Sequence, residues 1–508
     1  MIDAFNRDLP YDQFLRAQVA GDLLHPDLAP ATGFFALGPT YVSDGGDPDA
    51  IAQAQSETLD DRVDTLSRGL LGLTASCARC HDHKFDPIPQ LDYYSLAGVF
   101  NNVRMADHPL VSPETVKAFH DHQRLIQEQE KQIRELDERV KKENRQPTEA
   151  EQADRARFEA ELNRLRQTAP PMYPVAHGLG ESGNADMHLA IRGNLRKPGQ
   201  IAPRRFLRIL SPESAPAFAH GSGRLDLAEA LASPENPLTA RVFVNRVWLN
   251  LLGRGLVRTP SNFGVMGEKP THPELLDWLA AEFQAPDAGA PDAGANPPIP
   301  WSIKRLQRLI LLSATYRMSS RGESAGLAVD ADNRLLWRAN PRRLDVESWR
   351  DALLSVTGEL EKTVGGPSVD NLMTSVRRTL YGAVNRNGDQ FEHQVFLRLF
   401  DFPASRASSE GRNTSAIPQQ YLFLMNSPFM AARSQALAKR LAGSFDNDSA
   451  RITAAYQLLY SRNPTDEERG IGLEFLALPV NPEEPSQLSP WERYAQVMLS
   501  ANELMFLE

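Results

Sequence analysis

Apolar residues recur at helical spacing in two early stretches, Tyr11 to Leu24 and Glu57 to Leu73, separated by a Gly/Pro/Asp-rich passage from Gly33 to Asp49. The spacing predicts two amphipathic helices joined by a loop. From Ser112 to Gln167 the chain turns to Glu, Gln, Lys and Arg, while Leu125, Ile126, Ile133, Leu136 and Val140 keep a thin apolar stripe. That pattern predicts a long solvated helix. It breaks at Asn144 to Pro147, and Thr148 with Glu151 spells a capping box ahead of Phe158, Leu162 and Leu165. A second helix is therefore expected, folded back on the first as an intramolecular hairpin rather than a dimerisation arm.

Residues 172–210 change character, with Pro, Gly and short apolar runs such as HLAIRGN and PRRFLRIL. These suit a small β element. From Arg224 onward the period is helical again: LDLAEALA, Leu238 to Leu252, PELLDWLAAEF, IKRLQRLILLSATY and the block from Ser449 to Leu507. Thr271 with Glu274 and Thr465 with Glu468 mark two further capping boxes. The segment APDAGAPDAGANPPIP repeats one five-residue unit and has too little apolar matter to pack, which predicts a flexible surface insertion at 285–300. The fold class read from these periods is mainly α and multidomain. It comprises a region 1–110, a charged helical hairpin 112–168, a small β-rich element 172–210 and a large α domain 222–508.

Composition changes the picture only modestly. With 508 residues the chain exceeds the ~250–300 at which single cores stop growing, so several domains are expected. Its 41% hydrophobic and 24% charged residues favour a folded chain over a disordered one. A net charge of -10 argues against general nucleic-acid binding, which needs a basic surface. No run approaches the ~18–20 apolar residues of a membrane span, and the opening MIDAFNRDLPYDQFLRAQVAGDLL has none of the features of a signal peptide.

Candidate chemistry concentrates at one point. The chain has two cysteines, three apart and followed by a histidine: Cys77, Ala78, Arg79, Cys80, His81. Two thiols about a helical turn apart can each form a thioether to a haem vinyl group, and the adjacent imidazole can serve as proximal iron ligand. A disulfide or redox dithiol, and a zinc or other metal site, are the competing readings. Zinc would need His83 and Asp86 to complete its ligands. Met105, His108, Met172, His177, Met187 and His188 are candidate distal haem ligands by type. His83 is a poor one, since two residues past His81 on a helical turn it points away.

Just upstream, Glu57, Asp60, Asp61 and Asp64 share one side of a helical wheel, opposite Leu59, Val63, Leu66 and Leu70. With His83 and Asp86 they are conceivable calcium ligands, although a solvated face paired with Arg68 explains them better. The later half carries many arginines, among them Arg241, Arg246, Arg254, Arg258, Arg342, Arg343, Arg377, Arg378, Arg386, Arg398, Arg406 and Arg412. Guanidinium groups suit carboxylate or sulfate recognition, so an anionic glycan is a candidate partner. No G-x-S-x-G, Walker or H-E-x-x-H pattern occurs. A glycan-acting enzyme would need paired carboxylates in a cleft.

The stretches PYDQFLRAQVAGDLL and ETLDDRVDTLSRGLLGLTASCARCHDHKFDPIPQLDYYSLAGVF resemble the cytochrome-like domain of the planctomycete-type cytochrome-c-like proteins of unknown function. The stretches IRGNLRKPGQIAPRRF, NPLTARVFVNRVWLNLLGRGLVRTPSNFGVMGEKPTHPELLDWLA, RRTLYGAVNR, IPQQYLFLMNSP and LLYSRNPTDEE resemble the companion domain that follows it. The resemblance implies a c-type haem on Cys77, Cys80 and His81, electron transfer with a redox protein partner, and a periplasmic or cell-surface location for a longer parent chain, with Met1 an internal start. It also implies an association with polysaccharide use. The alternative is a non-redox binding or scaffold protein in which the two cysteines form a disulfide or metal staple.

Overall fold

Capping chemistry sets most helix boundaries. Thr148 and Glu151 form a full reciprocal box that starts the helix Glu149–Gln167, and Thr465 with Glu468 does the same for Asp466–Ala477. Ser112 accepts from Thr115 N to open Pro113–Lys142, whose first residue is the proline. At Thr271 the expectation is not met. The helix Pro273–Gln284 starts after His272, and Thr271 gives both its N–H and its hydroxyl to Leu256 O. Pro273, suited to the first helical position by its fixed φ and missing N–H, moves the start by one residue and frees the threonine to hold a loop.

The computed structural model describes every residue except 44, 213, 288–297, 386, 387, 389, 406–408, 480–487 and 508. Most of the expected 285–300 insertion therefore lies outside the described residues. Among the described residues the protein is mainly α, with three two-stranded antiparallel sheets. No helix there is long and apolar enough to cross a membrane. The chain divides into two compact units. The first comprises Met1–Leu70, Thr74–Thr239 and Ile299–Ile303; the second comprises Leu71–Leu73, Ala240–Pro298 and Lys304–Glu508.

In the first unit, the helix Pro48–Leu66 buries Leu59, Val63 and Leu66 against Gln90–Asn101, whose Tyr93, Tyr94, Leu96, Val99 and Phe100 are buried. It begins earlier than periodicity suggested, because Asp47 accepts from Asp49 N and Pro48 opens the first turn. Strand β1 (Val103–Pro109) pairs with β2 (Val175–Glu181), and β3 (Met187–Ala190) with β4 (Pro198–Ala202). The hairpin Pro113–Lys142 and Glu149–Gln167 lies in sequence between β1 and β2, so it extends from one side of a two-stranded ribbon. Its core is small: Ile126, Leu162 and Leu165, with Ile133 packed on them.

Arg224 ties this unit together. Its side chain is fully buried, and it binds Asp22 through Nη1 and Nη2 at 2.8 and 2.9 Å and Glu181 through Nε and Nη2 at 3.0 and 2.6 Å. Burial alone would lower its pKa, but the hydrogen bonds and charges of Asp22 and Glu181 outweigh it and the guanidinium sits above its ordinary value.

In the second unit, Trp349, Phe396, Phe400, Phe429, Leu437 and Leu499 belong to one large core. Arg350 is fully buried within it. Its N–H groups go to Leu372 O, Arg377 O, Ser375 O and Thr379 Oγ1. Burial pulls its pKa down to about 10, with the Asp351 charge working the other way. Carbonyl dipoles thus stand in for a carboxylate and pin the 372–379 loop to the helix Val346–Thr357.

Replacing Arg224 with Met leaves Asp22 and Glu181 facing each other with no cation. The expected cost is about 3–5 kcal/mol, read as a fall in the urea midpoint followed by circular dichroism at pH 7. A change under about 0.5 kcal/mol, the size of an ordinary surface substitution, would show that this cation does not hold the unit together.

Candidate functional site

The segment Ala75–Arg79 is a 3-10 turn with Cys80 as its C-terminal cap. Three residues per turn place positions three apart on one face. Ala75 and Ala78 are both fully buried, so their face packs inward, and Cys77 and Cys80 share another face that is exposed. Both thiols are free. Small alanines let the turn lie close to the core, and that directs both sulfurs to the surface.

The backbone of this turn is held from the helix Gln90–Asn101. Arg79 O accepts from Gln90 Nε2 at 2.8 Å and from Tyr94 Oη at 3.0 Å. Gln90 Nε2 also reaches Ala190 O at 3.1 Å, and Gln90 N donates to Asp82 Oδ1 at 2.8 Å. Burial pushes the Tyr94 phenol up to about 12, with the Arg79 charge acting against it and Cys80 adding to it. Tyr93 donates to Asp60 Oδ1 at 2.9 Å, and its phenol is also pushed up by burial and by the Asp60 charge. The Arg79 guanidinium lies 3.7 Å from Asp60 Oδ2.

His81 is exposed, and its Nδ1 lies 2.7 Å from Asp82 O. A carbonyl only accepts, so Nδ1 carries the proton, and in the neutral ring the lone pair is on Nε2. This is the tautomer in which an imidazole binds a metal through Nε2 with a carbonyl behind it. His83 has a different role. Its side chain is 5% exposed; its Nδ1 accepts from Asp86 N at 2.8 Å and Phe85 N at 3.2 Å, and its Nε2 reaches Thr74 Oγ1 at 3.0 Å. With His83 N bonded to Ile88 O as well, this ring closes the 83–88 turn from inside, and both of its nitrogens are occupied. It lies in a loop, not on a helical turn, so the expected reason for its pointing away from His81 is replaced by this one.

The acidic residues upstream are divided among separate partners. Asp60 serves Tyr93 and Arg79, Asp64 pairs with Arg68 at 2.6 Å, and the Asp61 charge favours the cationic form of Arg62 against its burial. Among the described residues no three His, Cys, Asp or Glu side chains come together as a metal-binding group. Arg62 is buried on the apolar side of the same helix, with Nη2 3.8 Å from Met105 Sδ. His108 Nε2 meets Leu179 O, His177 Nδ1 meets Asp107, and His188 Nδ1 meets Gly199 O. Met187 is buried beside Gly98 and Met172 is exposed.

Sequence reasoning missed the supporting residues Gln90, Tyr94 and Gly193. Gly193 has φ +76, and a Cβ there would stand 2.7 Å from Cys80 Sγ. Both the left-handed backbone and this contact require glycine. The alanines at 75 and 78, in step with the cysteines at 77 and 80, were the available signal for which face is exposed.

Residues 223–476 match the PSD1 family, described as a protein of unknown function (DUF1553), and that match spans half of the chain. The chain belongs to the DUF1553 family. Residues 1–105 match the PSCyt2 model, likewise a protein of unknown function (DUF1549), which places Cys77, Cys80 and His81 in the DUF1549 region of this DUF1553 protein. The two are the planctomycete-type cytochrome-c-associated domain pair, and neither match is to a haem domain itself. The N-terminal region is therefore a cytochrome-associated domain of unknown function, a coarser description than a partial cytochrome fold. No curated protein and no solved structure gave a significant match.

Two outcomes are expected. Protein produced without haem should titrate about two thiols per chain with an aromatic disulfide reagent before denaturation; none titrating would contradict the exposure of Cys77 and Cys80. The native Tyr94 phenol keeps its proton up to about 12, above the ordinary 10.0, so the fold binds that proton more tightly than the unfolded chain. Its contribution is intact below the ordinary value and is lost as pH rises through about 12. Tyr94→Phe should cost about 1 kcal/mol at pH 7 and flatten the alkaline loss of stability in urea titrations. A variant with the parent's alkaline slope would refute the assignment.

Proposed function

We propose that Cys77, Cys80 and His81 attach one haem covalently, and that the protein passes single electrons to a redox partner outside the cytoplasm. The observation that carries this reading is the hydrogen bond from His81 Nδ1 to Asp82 O, which leaves Nε2 free beside two exposed thiols on one face. The residues present fit the group. The two sulfurs would hold it as thioethers, and His81 Nε2 would be the proximal iron ligand. Bound haem supplies the one-electron chemistry.

The protein's own part is positioning. Gln90 and Tyr94 fix the Arg79 carbonyl, so the turn between the two thiols keeps its shape when the sulfurs are loaded. Asp82 aligns the imidazole through its main-chain oxygen and, through its side chain, caps Gln90 N. The extracytoplasmic location follows from the reading, because haem is attached covalently outside the cytoplasm. A second reading rests on the same exposed face: two free thiols three apart on a 3-10 turn suit a disulfide or dithiol staple. His81 would then be an ordinary surface residue.

The test is an alkaline pyridine spectrum of the chain exported by an added signal peptide in a host with haem-attachment machinery. A reduced c-type α-band is expected in the parent and should vanish in Cys77→Ser/Cys80→Ser. In His81→Ala the covalent band should persist, with an altered spectrum of the native protein. Folded, exported parent with no band would reject the haem reading, and loss of titratable thiols without haem would favour the disulfide.

A further inference from the structure

A pocket of about 530 Å³ in the second unit is lined by Arg254, Arg338, Arg342 and Arg343. That volume is ordinary for a small-molecule site. No Asp or Glu is among the described residues that line it. Arg343 is held by Asp401 at 3.4 Å and by Ser415 O. The other three guanidinium groups have no ion pair among the described residues. Arg254 reaches only Asp332 O, at 2.7 Å. Arg338 has a buried Nε with no hydrogen-bond partner. The Arg342 stem runs along Gly253, and its head group makes no hydrogen bond among the described residues.

Gathering like charges round one hollow is unfavourable unless an anion enters it. The rest of the wall narrows the class. Tyr421 is 49% exposed, and its hydroxyl, like the side chains of Thr414 and Asn502 beside it, has no partner among the described residues. These groups can bond hydroxyls on a ligand, while the Tyr421 and Phe506 rings offer flat apolar surface.

We propose that this pocket binds an acidic sugar, with its carboxylate or sulfate held by Arg254, Arg338 and Arg342 and its hydroxyls by Thr414, Tyr421 and Asn502. The guanidinium forks match the oxygens of either anion. The described lining holds no carboxylate pair of the usual glycosidase kind, and the proposal is one of binding. The residues lining the pocket belong to the second unit and the Cys77 to His81 turn to the first, and neither reading needs the other.

The experiment is calorimetric titration of the full chain with four probes: a galacturonate trisaccharide, a monosulfated galactose trisaccharide, the neutral galactose trisaccharide, and sodium sulfate. One or both acidic sugars should bind, more weakly as salt rises, and the carboxylate and sulfate arms identify which anion is preferred. Arg342→Gln removes a head group that makes no hydrogen bond among the described residues while keeping part of the stem, and it should weaken binding by about tenfold or more. Tyr421→Phe should weaken it by a few fold. The proposal is overturned if neither acidic sugar binds at about 10 mM, which is weaker than a ~1 mM site of about 4 kcal/mol. It is also overturned if the neutral sugar or sulfate alone binds as tightly, or if Arg342→Gln binds like the parent. The same titration on Cys77→Ser/Cys80→Ser keeps the result independent of haem.

Discussion

A buried cation fixes the first unit. A fully desolvated guanidinium costs several kcal/mol unless anions meet it with good geometry, so Arg224 requires Asp22 and Glu181 where they are. Asp22 comes from the helix Tyr11–Leu24 and Glu181 ends strand β2. Glu181 also takes the N–H and hydroxyl of Ser222 at 2.6 and 2.8 Å. Strand β2 carries β1 with it, and β1 follows directly from the helix Gln90–Asn101. That helix places Gln90 and Tyr94 on the Arg79 carbonyl. One desolvated charge is thereby linked, through a short series of elements, to the turn that presents the thiols.

The turn itself shows how a reactive group can be exposed without being loose. A thiol can react only where a reagent can reach it, and the proposed attachment at two points with ligation at a third would demand a fixed backbone as well. Buried alanines on one face, exposed cysteines on the other and a doubly accepting carbonyl at Arg79 meet both needs. His83 adds to this by giving Nδ1 to its own turn and Nε2 to Thr74. Two histidines two residues apart thus divide the work, one with a free lone pair at the surface and one used up in the interior.

Arginine serves two opposite purposes in the second unit. Arg350 is saturated by main-chain carbonyls and a threonine hydroxyl, and it acts as a cross-link in the core. Arg254, Arg338 and Arg342 are left without carboxylates round a hollow. Others among the sequence-selected arginines are surface partners of acids, such as Arg241 with Asp277 and Arg412 with Glu347. Residue type alone did not separate these groups, because the difference lies in what surrounds each side chain after folding.

The sequence by itself determined the mainly helical class, the hairpin with its capping box at Thr148, and the position of the Cys77 to His81 motif. Helical period, capping chemistry and motif spacing act over a few residues, so they can be read directly from the order of amino acids. Tertiary structure decided which of the nearby titratable side chains stand free. Asp60 and His83 were reasonable ligands by type and spacing, but Tyr93 and Thr74 reach them across the fold, whereas the Asp64 to Arg68 pair, one helical turn apart, was legible in the sequence. It also decided the support from Gln90, Tyr94 and Gly193, and the arginine pocket, whose walls come from segments as far apart in sequence as Gly253 and Phe506. Such groupings depend on long-range packing and on the demand that buried polar groups find partners, and neither is local enough to be visible in the sequence.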